Sequence, residues 1–329
     1  MMEGVHDDDV FRRTGPGGVV APGSSGESTT SPGRPAAGSP SGTPATFPGG
    51  APATFPGPVI TSPANPRLRA VAALRDRHER TARRLALVDG AREVRRAIEA
   101  GVEVVEVYLS TDHRADSEGQ MTLAAVAAAG VPVVACGPRA FRRIAYGDRP
   151  DGILGVVATP PTDLARLALP ADPLVAVVEG VEKPGNLGAI VRSADAAGLD
   201  AILAAGPGAD PFHPNAIRAS VATVFAVPVA VAPSEDVAAW LRSRRIRIAA
   251  ASAGHGVPYT EADLRGPLAI VLGSEARGLG PVWSGPDVTP VHIPMAGLAD
   301  SLNVAAAAAV LFFEARRQRG PVRRDRQRA

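Results

Sequence analysis

Only one cysteine, Cys136, and one lysine, Lys183, occur in the 329 residues, and aromatic side chains make up 4% of them. One cysteine cannot close an intramolecular disulfide or build a thiolate zinc cluster, so the fold must rest on its apolar core. The six histidines (His6, His78, His113, His213, His255 and His292) show no ligand spacing, and no metal site is expected. Long apolar runs are missing as well. The longest, Val304 to Phe313, falls far short of the roughly 20 residues a bilayer-spanning helix needs. The opening MMEGVHDDDVFRR has acids where a signal peptide carries cations. A cytoplasmic protein without membrane attachment is therefore expected.

Several chemical signatures are also lacking. After the strand ending near Glu179 the glycines read Gly185-Asn-Leu-Gly188, which does not fit the G-x-G-x-x-G of dinucleotide folds. No G-x-x-x-x-G-K-[ST] loop and no G-x-S-x-G elbow occurs. Hydride transfer, P-loop phosphate chemistry and serine acyl transfer are disfavoured together.

What is present is a chain that is 45% hydrophobic and 21% charged, enough for two globular domains. The net charge is only +2, yet its distribution is uneven. Arg67 to Arg96 holds ten arginines against four acids, and Glu314 to Ala329 holds seven against two. Such clusters can track phosphates, or simply form a solvated helix face. Five segments are expected: a disordered Pro/Gly/Ser-rich tail (1–64), a small α/β domain (65–160), a linker (161–172), a larger α/β domain (173–319) and a basic tail (320–329).

In the small domain the pattern predicts one basic helix from Arg67 to Arg84. Strands follow at LALVD, VEVVEVYLS, VPVVA and ILGVVA, with helices at Ala91–Ala100 and LAAVAAAG. The larger domain carries near-continuous apolar runs: LVAVVEG, AILAAG, FAVPVAV, IRIAAAS, LAIVLGS and VHIP. Strands of that kind are buried on both faces of a parallel sheet covered by helices. Helices are expected around Leu187–Ala197, Asn215–Thr223, Ser234–Arg244 and Ser301–Arg319. The last is apolar all round through Phe313, which suits either a dimer contact or a central core helix.

In open parallel sheets ligands bind at the carboxyl ends of strands. Three such ends carry unusual residues: EKPGNLG, GSEARGLG and IPMAGLADSLN. Glycine-rich turns of this type could read a heterocycle edge with main-chain groups between apolar walls.

These three stretches, in this order, closely resemble the signature motifs of the SpoU/TrmH branch of the SPOUT methyltransferases, from about Leu174 to Arg319. The resemblance implies an α/β-knot fold, a mostly parallel sheet with a trefoil knot, and an obligate homodimer. It also implies methylation of an RNA ribose 2′-hydroxyl from S-adenosylmethionine. The small domain resembles the RNA-binding domain that many members carry ahead of the catalytic one. That favours ribosomal (23S) RNA over tRNA; a non-catalytic RNA-binding protein with the same fold is the alternative.

By the same resemblance, Asn186, Arg192, Glu275, Ser301 and Asn303 occupy catalytic positions. Leu272, Gly273, Ile293, Met295 and Leu302 occupy cofactor-binding ones. Arg83, Arg84 and Arg218 are the expected RNA contacts. Arginine's pKa exceeds 12, so Arg192 is expected to clamp a phosphate and orient the hydroxyl rather than act as a free base. Ser301 and Asn303 would also cap the last helix. The chain departs from the family pattern at Ala222, Ala276, Gly280 and Ala305, each a small residue exchanged for another small one.

Overall fold

The helix expected over Arg67–Arg84 is two helices, α1 (Pro66–Ala73) and α2 (Arg77–Arg83). The break lies at Asp76, whose carboxylate accepts from the backbone N–H groups of His78 and Glu79 and so starts α2 afresh. In this computed structural model the described residues are 57–114, 116–147, 151–208, 210–274 and 277–320. Most of the expected disordered tail and of the basic tail thus lies outside them. Ile60, assigned to the tail by composition, exchanges backbone hydrogen bonds with Ala135 and Gly137 beside β3.

The small domain continues with β1 (Leu85–Asp89), α3 (Ala91–Glu99), β2 (Val104–Ser110), α4 (Ser117–Ala128), β3 (Val133–Cys136), α5 (Pro138–Phe141) and β4 (Ile153–Ala158). α4 starts earlier than its alanine-rich stretch suggests, because Asp116 caps it through Gly119 N. The four strands run in the order β1-β4-β2-β3. β4 is antiparallel to both its neighbours, while β2 and β3 are parallel. α3 and α4 cover one face with Val94, Ala97, Leu123 and Val126. α1 and α5 cover the other with Leu68, Val71 and Phe141, against Leu87, Tyr108 and Leu154.

The linker carries a single 3-10 turn, Leu164–Arg166. The larger domain follows with β5 (Leu174–Glu179), α6 (Pro184–Ala197), β6 (Ala201–Ala205), α7 (Pro214–Ala219), β7 (Val229–Ala232), α8 (Ser234–Ser243), β8 (Arg247–Ser252), β9 (Val257–Pro258), β10 (Leu268–Leu272), β11 (Val288–His292) and α9 (Val304–Arg319). Its seven strands are ordered β7-β6-β5-β10-β8-β11-β9, and every pairing is parallel. Successive β5 residues point to opposite faces. Leu174, Ala176 and Val178 meet α6 and α9, while Val175 and Val177 meet the α8 side. β7 starts later than FAVPVAV suggests, because Thr223–Phe225 forms a 3-10 turn that stacks Phe225 on Phe212 at 6.0 Å. The two-residue β9 was not expected at all.

The two sheets are tied together. Val88, Val94 and Val107 of the small domain belong to the same apolar cluster as Ile190, Ile217 and Leu311. Arg80, only 3% exposed, donates to the carbonyls of Leu74 and Arg75 and pairs with Asp210 of the larger domain. Arg96 donates to the Val221 carbonyl at 3.0 Å, and Arg218 donates back to the Tyr146 carbonyl at 3.1 Å. Val221 and Ala222 hold φ of 52° and 61°, a left-handed turn that costs non-glycine residues energy. Among the described residues no helix is long and apolar enough to cross a membrane.

Candidate functional site

Three chain crossings at the carboxyl rim of the parallel sheet build the site. The first is the β5–α6 connection. Pro184 is the first residue of α6, where its missing N–H and fixed φ cost nothing, so the Pro-Gly-Asn-Leu-Gly stretch is helix rather than a separate turn. Asn186 therefore sits in the first helical turn. Gly188 lets α6 lie directly on α7, since a Cβ there would collide with the Ala216 carbonyl oxygen.

The second crossing follows β10. A Cβ on Gly273 would stand 2.8 Å from Leu279 N, so only glycine lets the chain fold back this tightly. Gly278 N donates to the Ser274 carbonyl at 2.9 Å, and Gly278 takes φ of 63°. The Ser274 hydroxyl caps the turn by accepting from Arg277 N at 3.1 Å. Gly280 N donates to Glu179 Oε2 at 2.6 Å, and Arg277 pairs with Glu182. Glu275 lies outside the described residues, as does Ala276.

The third crossing runs from β11 into α9. Asn303 caps α9, its side-chain oxygen accepting from Ala305 N at 3.0 Å. Its Nδ2 donates to Asn186 Oδ1 at 3.5 Å, which joins the starts of α6 and α9.

A cavity of about 320 Å3 opens between the second and third crossings. Leu272, Gly273, Ile293, Met295 and Leu302, the five expected cofactor residues, all line it. So does Ser301. Asp300 and the segment from the end of β8 onward, Ala251 to Gly254, also line it, and neither was singled out from sequence. The available signal was the pair Gly254 and Gly256 after an apolar strand, with φ of 75° and 93°. Asn186, Asn303 and Arg192 are not lining residues. Arg192 is exposed, about 9 Å further along α6 than Asn186 and on a different face. The single chain therefore groups two of the expected catalytic residues at one helix junction and leaves the arginine apart.

Apolar walls, close-packed main chain and the carboxylate of Asp300 suit a flat heterocycle joined to a cationic group. S-adenosylmethionine has those parts, and Leu272, Gly273, Ile293, Met295 and Leu302 are the residues that would hold it. A second cavity of about 360 Å3, between the linker and the Phe212–Phe225 pair, contains none of the strand-end motif residues.

The arginines divide by use. Arg84 is exposed, while Arg83 is exposed but donates to the Ala70 carbonyl and pairs with Glu79 at 2.7 Å. Arg218 is engaged at the domain junction, beside the half-buried Asp89 carboxylate that accepts from Tyr146 N. Burial pushes the Asp89 carboxyl up to about 6, opposed by the bond from Tyr146 and the charge of Arg218. In the last helix Arg316 donates to the carbonyls of Ala197 and Gly198, closing α6, and Arg319 donates to those of Leu264 and Pro173. These two arginines of the C-terminal basic cluster, both within α9, are thus structural.

Comparison with known proteins agrees with this arrangement. Residues 173–313 match the SpoU rRNA Methylase family, and residues 65–155 match the MRM3-like substrate binding domain. A 23S rRNA (uridine(2479)-2′-O)-methyltransferase of Streptomyces viridochromogenes is 31% identical over 255 residues, 75% of this chain and 88% of that protein. A 23S rRNA (guanosine(2553)-2′-O)-methyltransferase of Bacillus subtilis is 27% identical over 78% of this chain and 98% of its own. The crystal structure of an AdoMet-bound rRNA methyltransferase from Sinorhizobium meliloti superposes with a TM-score of 0.71 at 29% identity, covering 79% of this chain and 97% of that one. The chain belongs to the SpoU rRNA methylase family.

Proposed function

We propose that this protein methylates a ribose 2′-hydroxyl of large-subunit (23S) ribosomal RNA, using S-adenosylmethionine, in the cytoplasm and as a homodimer. The observation that carries this reading is the cavity lined by Gly273, Ile293, Ser301 and Leu302, whose third crossing runs on into the Asn186–Asn303 junction. The small domain, with exposed Arg69, Arg77 and Arg84, is read as the RNA-holding part. Arg83 and Arg218 are candidate RNA contacts only where their present carbonyl bonds leave a donor free.

The cofactor, when bound, supplies a methyl group on a cationic sulfur. Leu272, Ile293 and Leu302 would exclude water from it, and the Gly273 main chain would fix its orientation. Asn186 and Asn303 present amides whose positions are set by two helix starts. They are suited to orienting the ribose, with Ser301 beside them at the cavity wall. Arg192 offers a planar fork to a phosphate, and its exposure on α6 leaves it open to RNA or to a partner subunit.

The homodimer is supported by unpartnered apolar side chains along this region: Leu298, Met295, Leu302 and Phe313 are exposed. The insertion of the late strand β10 between β5 and β8 is compatible with a knotted chain. The test is transfer of radiolabelled methyl from S-adenosylmethionine to unmodified 23S rRNA and to tRNA, with the modified nucleotide mapped. Label in 23S rRNA alone supports the reading; label in tRNA alone, or in neither despite cofactor binding, overturns it.

A further inference from the structure

The glycine turn after β10 has its two ends held differently. Its first end is fixed by the β10–β5 ladder, which pairs Leu272 with Val178. Its second end, Gly280, lies beyond any strand and leads into the 3-10 turn Pro281–Trp283, where Trp283 is buried. What holds it is the residue after Val178. Glu179, the last residue of β5, reaches across and accepts from Gly280 N at 2.6 Å, a short charge-assisted bond. A Cβ on Gly280 would stand 3.3 Å from Glu179 Oε1, so glycine suits the close approach of this carboxylate. The other tether of the turn, Glu182 to Arg277, joins side chains that are 66% and 75% exposed, where an ion pair adds little.

We propose that Glu179 is a positioning residue for the methyl-donor pocket: by holding the Gly280 amide it sets the folded-back shape of the turn whose Gly273, Ser274 and Gly278 line the cavity. The proposal rests on the reading of that cavity as the S-adenosylmethionine site. Glu179 itself is not a lining residue, so it acts through the turn and not by touching the cofactor.

The bond can be removed from either side. Glu179→Ala takes away the acceptor, while Glu179→Gln keeps an oxygen in the same place. Gly280→Pro takes away the donor and the φ of −69° at Gly280 already matches proline, while its Cβ, 3.3 Å from Glu179 Oε1, is freed of that contact in the Glu179→Ala background. S-adenosylmethionine affinity is measured by titration calorimetry without RNA, alongside Kd for 23S rRNA, the thermal midpoint and the kinetic constants. The expected result is a Kd for S-adenosylmethionine raised about 10-fold in Glu179→Ala and in Gly280→Pro. No further rise is expected in the double variant, with near wild-type affinity in Glu179→Gln and unchanged RNA binding. KM for the cofactor should rise more than kcat falls. Wild-type cofactor affinity in both folded single variants would overturn the proposal, as would a Glu179→Gln protein as weak as Glu179→Ala. If the wild-type protein does not bind S-adenosylmethionine at all, the site reading itself fails, and that arm is run first.

Discussion

Asn303 Nδ2 donates to Asn186 Oδ1 across 3.5 Å, while Asn303 Oδ1 accepts from Ala305 N. One amide thus caps α9 with its oxygen and ties α9 to α6 with its nitrogen. The two duties are separable by substitution. Asn303→Asp keeps the cap and loses the donor toward Asn186. It should leave the thermal midpoint close to wild type and lower methyl transfer about 10-fold or more, following the cost of removing one positioned donor. Asn303→Ala should also destabilise by about 1 kcal/mol through loss of the cap. Calorimetry beside a methyl-transfer assay distinguishes them; wild-type methyl transfer in Asn303→Asp would show that capping is the whole role.

Arg192 stands exposed on α6, and among the described residues no side-chain bond from it holds the fold. Arg192→Lys should therefore unfold at the wild-type temperature while turnover on RNA falls by at least 10-fold, because an ammonium cannot grip a phosphate with two parallel N–H groups. Cofactor affinity should not change. A lysine variant with wild-type turnover would remove Arg192 from the mechanism.

Asp89 is half-buried at the domain junction, and desolvation raises its carboxyl to about 6 from an ordinary value of 3.8. Between those values the folded chain holds a proton that the unfolded chain has released. Stability contributed by Asp89 is therefore present at low pH and lost as pH rises through about 6. Asp89→Asn keeps an oxygen for Tyr146 N and never ionises. It should melt higher than wild type at pH 7.5, and the two curves should converge near pH 4. A gap that instead widens toward acid pH would mean the interaction with Arg218 dominates.

Gly188 marks the closest approach of α6 to α7. Gly188→Ala gains helix propensity but drives a methyl into the Ala216 carbonyl oxygen and the Ala219 side chain. Overpacking of this type costs about 1–3 kcal/mol, more than the propensity gain of about 1 kcal/mol. Denaturant unfolding should show the net loss; a stabilised variant would mean that the helices separate freely.

Much of the large sheet could be read in advance, because strands buried on both faces leave short uninterrupted apolar runs, set apart from the longer run of α9 by their length and their turn residues. The five positions that the family resemblance assigns to the cofactor, Leu272, Gly273, Ile293, Met295 and Leu302, come together on one cavity because the resemblance carried a spatial arrangement that spacing alone does not. The start of α6 was misplaced because Pro and Gly together read as a turn, although proline is also at home as the first residue of a helix. The break at Asp76 rests on one capping carboxylate within an arginine-rich stretch, a signal spanning only three residues. The duties of Arg80, Arg96, Arg218 and Arg316 were out of reach. A guanidinium that will bond a carbonyl of a distant segment looks, in sequence, like one that awaits a phosphate.

Three guanidinium bonds and a shared apolar cluster cross between the small sheet and the large one. The spacing between the arginine-bearing helices and the cavity proposed for the methyl donor is therefore a built-in gauge, not a swinging arm. On the proposed reading, an RNA would have to bring its own curvature to fit both at once, so the shape of the folded RNA would select the nucleotide before any base edge is inspected.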